Sequence, residues 1–141
     1  MSASTADRIV AEALRWCDTP YHHCADVRGV GVDCAMLLVR VFVDAGLVEP
    51  FDPRPYPPDW MLHRDEERFL GWVSRVADPV ETPQPGDVVI YRFGRCFAHG
   101  GVLDTPTTMI HADRDAGRVE RCDLSRWASR RHQFWRVRTD G

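Results

Sequence analysis

Apolar side chains recur at helical spacing along residues 5–17. Ile9, Val10, Ala13, Leu14 and Cys17 form one stripe, with Arg8, Glu12 and Arg15 opposite. Thr19-Pro20 ends that helix, because the residue before a proline is pushed out of the helical region. Residues 20–32 are rich in Gly and His and read as a loop. From Cys34 to Ala45 the chain is apolar on nearly every side, the pattern of a buried helix. Asp33 is suited to cap its start and Gly46 to close its end. Residues 50–58 hold five of the ten prolines and exclude regular structure. Residues 60–77 return to helical spacing, with Phe69, Leu70, Val73 and Val76 inward.

After Pro83-Gln84-Pro85-Gly86 the period changes from helix to strand. Asp87–Phe93, Ala98–Asp104, Thr107–Ala112 and Arg118–Arg121 predict antiparallel strands joined by short turns. Leu124–Ser129 predicts a helical turn, and Gln133–Arg138 a last strand. Helices first and a sheet second define an α+β fold. The 141 residues suit one domain, residues 1–141, with no internal repeat.

Composition narrows the function. The net charge is −3, and all 18 basic residues are arginines spread along the chain, so no basic patch for nucleic acid forms. No apolar run approaches the ~18 residues of a membrane span. Residues 1–8 lack the basic start and apolar stretch of a signal peptide, so synthesis in the cytoplasm is expected. Five cysteines, an odd number, argue against a disulfide framework.

Cys34 is the cysteine with a chemical reason to be reactive. At a helix start, unpaired N–H groups favour an anion, and a thiolate there is expected to have a depressed pKa. Gly29 and Gly31 in the preceding loop allow close backbone approach to a substrate. The bland alternative, a buried structural thiol, suits Cys17 better than Cys34. His99 and His111 lie on adjacent predicted strands joined by Asp104–Thr107. A register pairing 104 with 106 would set the two histidines directly opposite, so that one ring orients the other. A one-residue slip would part them, leaving two ordinary core or surface histidines. Gly100-Gly101 beside His99 suggests that another group comes close.

Zinc is the competing chemistry: Cys96, His99 and His111, or His22, His23 and Cys24, could supply ligands. No CxxC, HExxH or HxE…CxxC signature accompanies them, so no metal and no cofactor are expected. No phosphate loop, dinucleotide fingerprint or GxSxG elbow is present, and the carboxylates at 65–67 read as a solvated helix face.

Four motifs then occur in order. Trp16-Cys17-Asp18-Thr19-Pro20-Tyr21 and Gly29-Val30-Gly31-Val32-Asp33-Cys34 resemble the N-terminal block of the NlpC/P60 cysteine peptidases. Pro85-Gly86-Asp87-Val88-Val89, Ala98-His99-Gly100-Gly101-Val102 and Met109-Ile110-His111-Ala112 resemble three of that family's strands, with gaps of 65 and 12 residues from Cys to His to His. Tyr56-Pro57-Pro58-Asp59-Trp60 is similar to the subgroup of phage or prophage tail cell-wall peptidases. The resemblance implies a papain-like fold and cleavage of peptidoglycan stem peptides, typically between D-glutamate and a diamino acid. It implies Cys34 as nucleophile, His99 as general base and His111 as the residue orienting it. Tyr21 would assist the oxyanion site, and Asp33 would contact substrate or fix the loop. The expected partners are peptidoglycan peptides and phage tail proteins, with the chain in a virion tail or delivered to the wall. The alternative is a tail or wall-binding module that keeps the fold without hydrolysis. Four positions depart from the family pattern: Cys17-Asp18 stands before Thr19-Pro20-Tyr21 where a small residue and Gly are usual. Gly100 replaces a β-branched residue, and Cys24 stands where the subgroup carries a polar side chain.

Overall fold

The computed structural model describes residues 4–54, 68–93 and 96–139. Helix α1 spans Thr5–Leu14; Ser4 caps it, its hydroxyl accepting from Asp7 N at 3.0 Å. Helix α2 spans Cys34–Asp44 and is capped by Asp33, whose carboxylate accepts from Met36 N at 2.9 Å. Its far end closes on Gly46 at φ +81°, with Gly46 N–H bonded to Val43 O and Leu47 N–H to Phe42 O. Those two bonds satisfy carbonyls that the helix end would otherwise leave orphaned, and the left-handed turn costs glycine nothing. Seven of the eleven α2 residues are buried, which explains its apolar character on every side. Helix α3 is described over Arg68–Val76. The expected helical stretch 60–67, the paired carboxylates and the Tyr56–Trp60 motif lie outside the described residues.

A two-residue ribbon of β1 (Asp26–Val27) and β2 (Gly31–Val32) occupies the segment read as loop. Among the described residues the main sheet has six antiparallel strands: β3 (Ala77–Val80), β4 (Val88–Phe93), β5 (Cys96–Thr105), β6 (Thr108–Asp113), β7 (Arg118–Asp123) and β8 (His132–Val137). Their spatial order is β3-β8-β4-β5-β6-β7. A short 3₁₀ turn, Leu124–Trp127, lies between β7 and β8. The helix predicted up to residue 77 stops one residue earlier, and Ala77–Val80 forms β3 by pairing with β8. Among the described residues β3 pairs on one side only, and an edge position tolerates Pro79.

The Pro85-Gly86-Asp87 motif has a structural explanation. Gly86 adopts φ +90°, and a Cβ there would sit 3.2 Å from Ala6 Cα. Asp87 is buried; it accepts from Gln84 N at 2.8 Å and from both Nε and Nη2 of Arg136 at 2.9 Å. The turn is thereby tied to β8.

The helices cover one face of the sheet. Leu37, Val41 and Phe42 of α2 pack with Val88, Ile90, Val102 and Ile110. The other face carries a smaller cluster of Val89, Tyr91, Leu103, Met109 and Cys122, under Trp127 and Phe134. None of the five cysteines is in a disulfide. No helix among the described residues is long and apolar enough to cross a membrane.

Candidate active site

The start of α2 meets the middle of β5. Cys34 is half-buried and its Sγ approaches Ala98 O at 3.5 Å. The backbone N–H groups of Gly100, Ala35 and Cys34 also turn toward the sulfur. These groups favour a thiolate, but they do not win. Burial first, and the Asp33 carboxylate second, push the Cys34 thiol up to about 12. The depressed thiol expected from helix position alone is therefore corrected. The residue that caps the helix places a negative charge beside the sulfur, and desolvation outweighs the dipole.

Asp33 is 2% exposed and joins two segments. One oxygen caps α2 and the other accepts Cys24 N–H at 2.8 Å. These two bonds hold the Cys24 backbone against the start of α2. Cys24 itself sits at φ +60° with its sulfur 3.2 Å from His23 Nε2. Asp18 has φ +71°, which accounts for the family's glycine at that position; aspartate is among the side chains that tolerate the left-handed region.

Strand β5 carries a bulge next to the cysteine. Tyr91 pairs with His99, but Arg92 pairs with Phe97, so Ala98 is the extra residue. The bulge releases the Ala98 carbonyl to face Cys34. It also leaves Ala98 on the helix side, while His99 falls on the same side as its partner Tyr91.

The two histidines meet, though not as expected. The β5–β6 register pairs Val102 with Ile110 and Leu103 with Met109. Continued, it sets His111 opposite Gly101 rather than His99. His99 is two residues along on the same face, a diagonal neighbour within reach of a ring. His99 Nε2 lies 2.8 Å from His111 Nδ1, the rings nearly perpendicular at 83°. Gly101 makes this possible: a Cβ there would stand 3.1 Å from His111 Cβ and 2.8 Å from Met109 Sδ. Gly100 serves the other face, where a Cβ would meet Phe69 Cζ at 2.9 Å. The close approach anticipated at these glycines is thus observed on both sides of the sheet.

Both imidazoles are held neutral. Burial, then His111 and Arg130, holds His99 well below the ordinary histidine value. Burial lowers His111 to about 4, with Asp113 opposing and Arg126 assisting. Trp127 stacks on the His99 ring at 4.8 Å and 8°. Asp123 sets up that turn by accepting Ser125 N–H at 2.9 Å.

Cys34, His99 and Tyr21 line one cleft together with Trp127, three arginines, Arg114, Arg126 and Arg130, and two aspartates, Asp113 and Asp115. Tyr21 is tied down by its N–H to Gly117 O at 2.8 Å, and burial keeps its hydroxyl protonated. Trp127, the arginines and the Ala98 bulge were missed in the sequence. The helical turn at 124–129 was legible, but nothing local says that it folds back over His99.

A thiol at a helix start, an imidazole on the adjoining strand and a second imidazole behind it, on an α+β frame, define a cysteine peptidase of papain-like architecture. The chain belongs to the NlpC/P60 family, whose model matches residues 18–136. Among solved structures, it resembles the NlpC/p60 domain of the peptidoglycan hydrolase SagA, with TM-score 0.63 and 18% identity over 96% of this chain and 100% of that one. It also resembles the peptidoglycan hydrolase RipB of Mycobacterium tuberculosis, with TM-score 0.60 and 18% identity over 95% of this chain and 65% of that one. A third is an N-acetylmuramoyl-L-alanine amidase from Bacteroides uniformis, with TM-score 0.65 and 11% identity over 97% of this chain and 100% of that one. Comparison with curated protein sequences returns no match.

Proposed function

We propose that this protein is a cysteine endopeptidase that hydrolyses peptide bonds in the stem peptides of bacterial peptidoglycan. Family membership and the peptidoglycan hydrolases among its structural neighbours support cell-wall hydrolysis. The observation that carries the mechanism is the 2.8 Å contact between His99 Nε2 and His111 Nδ1 beside the Cys34 cleft.

That contact ties the tautomers of the two rings together, since one must donate and the other accept. For His99 to act as base toward Cys34, its Nδ1 must hold a lone pair, so its proton sits on Nε2. His111 Nδ1 accepts that proton's hydrogen bond and carries its own proton on Nε2. Cys34 passes its proton to His99 Nδ1 as the sulfur attacks the scissile carbonyl. The resulting imidazolium protonates the leaving amine, and water, activated by the same nitrogen, releases the acyl group. With the thiol raised and the imidazole lowered, the resting pair is neutral, and charge separates as substrate arrives. Backbone N–H groups at the start of α2 and the Tyr21 hydroxyl stabilise the oxyanion. Asp33 acts indirectly by holding the loop that carries Tyr21 against α2.

Three arginines against two aspartates leave the cleft a small excess of positive charge, which suits a substrate with free carboxylates. A D-glutamyl–diamino acid bond is of that kind, because the glutamate keeps its α-carboxylate. The Tyr56–Trp60 motif supports a finer assignment, to peptidases that reach the wall in a phage or prophage tail, with tail proteins as partners.

Muropeptide digestion followed by mass analysis tests the reading. The wild type should yield D-glutamyl and diamino-acid ends, and Cys34→Ala should yield none. Undiminished cleavage by Cys34→Ala would remove the mechanism. Binding to wall without turnover by the wild type would favour the non-hydrolytic module.

A further inference from the structure

We infer that His111, Asp113 and Glu120 form a site for a divalent cation of the zinc class, and that filling it switches off the Cys34–His99 pair. The switch rests on the reading of His99 as the base; the site itself does not.

Strands β6 and β7 bring the three side chains together. His111 is the cross-strand partner of Glu120, and Asp113 lies two residues on along the same face. One donor atom from each residue lies within 4.8 Å of the other two. His111 is 0% exposed. Its Nδ1 is taken by His99, and its Nε2 has no hydrogen-bond partner among the described residues. A buried imidazole nitrogen left so has given up its water and gained no partner in return. Because Nδ1 faces His99, Nε2 is the ring atom available to the two carboxylates.

The donor set fits a borderline ion. One imidazole nitrogen and two carboxylate oxygens are zinc ligands, and three protein ligands leave a position for water. Competing cations are loosely held. Arg118 Nε and Arg126 Nη1 stand 3.9 and 3.8 Å from Glu120, with side chains 56% and 64% exposed, so both can turn to solvent as an ion enters.

The effect on the pair follows from proton positions. An ion on His111 Nε2 uses the lone pair there, so the ring's one proton must sit on Nδ1. That proton points at His99 Nε2, which must then accept. Both rings stay neutral: His111 loses its Nε2 proton, the His99 Nε2 proton crosses to His111 Nδ1, and one proton enters at His99 Nδ1. His99 can no longer take the thiol proton at Nδ1. It cannot become an imidazolium either, since two N–H groups would then face each other across 2.8 Å.

Zinc itself is the probe. A zinc ion can also poison a cysteine peptidase at the thiol, so binding is measured by calorimetry on Cys34→Ala. One ion per chain is expected, weakened at least tenfold when Glu120→Gln is added, with Asp113→Asn as a second variant. In ¹⁵N spectra of Cys34→Ala, zinc should move the His99 proton from Nε2 to Nδ1. Wild-type hydrolysis should fall over the same concentrations, while Glu120→Gln resists. Equal affinity with and without the Glu120 and Asp113 substitutions overturns the site. Binding with no tautomer change, or equal inhibition of wild type and Glu120→Gln, overturns the switch. A chain with no hydrolytic activity would fail the functional proposal alone, and calorimetry and spectra would still decide this one.

Discussion

His99 Nε2 and His111 Nδ1 approach to 2.8 Å although the two residues are not partners in the β5–β6 register. The diagonal meeting depends on a residue with no side chain, Gly101, opposite His111. The geometry of the dyad is therefore a property of the backbone as much as of the rings.

His111 is expected to act through His99. In His111→Ala the base loses its fixed tautomer and orientation, and kcat should fall about 100-fold, the scale of a misplaced reacting group. His111→Asn, which keeps a polar group for His99 Nε2, should recover part of the loss with KM little changed. A purely structural role for His111 would be revealed by variants whose kcat follows their stability and not the polar group restored.

Gly101→Ala should damage both stability and turnover. The new methyl meets Met109 Sδ, His111 Cβ and the Ile110 carbonyl, all within 3.1 Å. Overpacking of this kind costs about 1–3 kcal/mol. Gly100→Ala presses on the Phe69 and Leu38 side chains, on the opposite face, so it should lower stability while reducing kcat less than Gly101→Ala does. Urea denaturation together with kcat separates the two. Equal kcat in both variants would show that His111 does not need the space.

Cys34 should alkylate slowly at neutral pH. With the thiol pushed up to about 12, its rate with iodoacetamide should rise about tenfold per pH unit through the neutral and mildly alkaline range. Peptide mass analysis of timed reactions reads each cysteine separately. A plateau for Cys34 below pH 8 would mean that the helix dipole outweighs burial after all.

Folding stability should decline on both sides of a neutral to mildly alkaline plateau. The folded value of His111 is lowered from 6.5 to about 4. Its contribution is present above pH 6.5 and is lost as pH falls toward 4, because the unfolded state then binds more protons. The full loss is roughly 3 kcal/mol by linkage. His99 acts in the same direction. Cys34 acts at the other end: its folded value is raised, so its contribution holds below the unfolded value near 9 and is lost as pH rises toward 12. Urea midpoints between pH 4 and 10 measure the profile, and His111→Asn should flatten its acid limb.

Much of this was legible from local pattern. Helix α2 followed from an unbroken apolar run between Asp33 and Gly46, because caps and burial are local properties of a segment. The strands after Gly86 followed from a change of period, and the order of Cys34, His99 and His111 followed from motifs a few residues long. Strand β3 was not legible, since Ala77–Val80 becomes a strand only by pairing with β8, far away in sequence. The ribbon β1–β2 is too short to leave a period.

The sequence by itself determined which residues can carry chemistry: a cysteine at a helix start, two histidines on neighbouring strands, and glycines where contacts are tight. The tertiary structure alone decided their states and their meeting. A thiol's pKa depends on what buries it, and Asp33 with the packed start of α2 raises a value that helix position would lower. A register depends on the whole sheet, and the Ala98 bulge with the observed β5–β6 pairing makes the histidines diagonal neighbours. Trp127 reaches His99 because β7 and its turn fold back over the sheet. Burial, register and stacking are sums over distant residues, and no short window of sequence contains them.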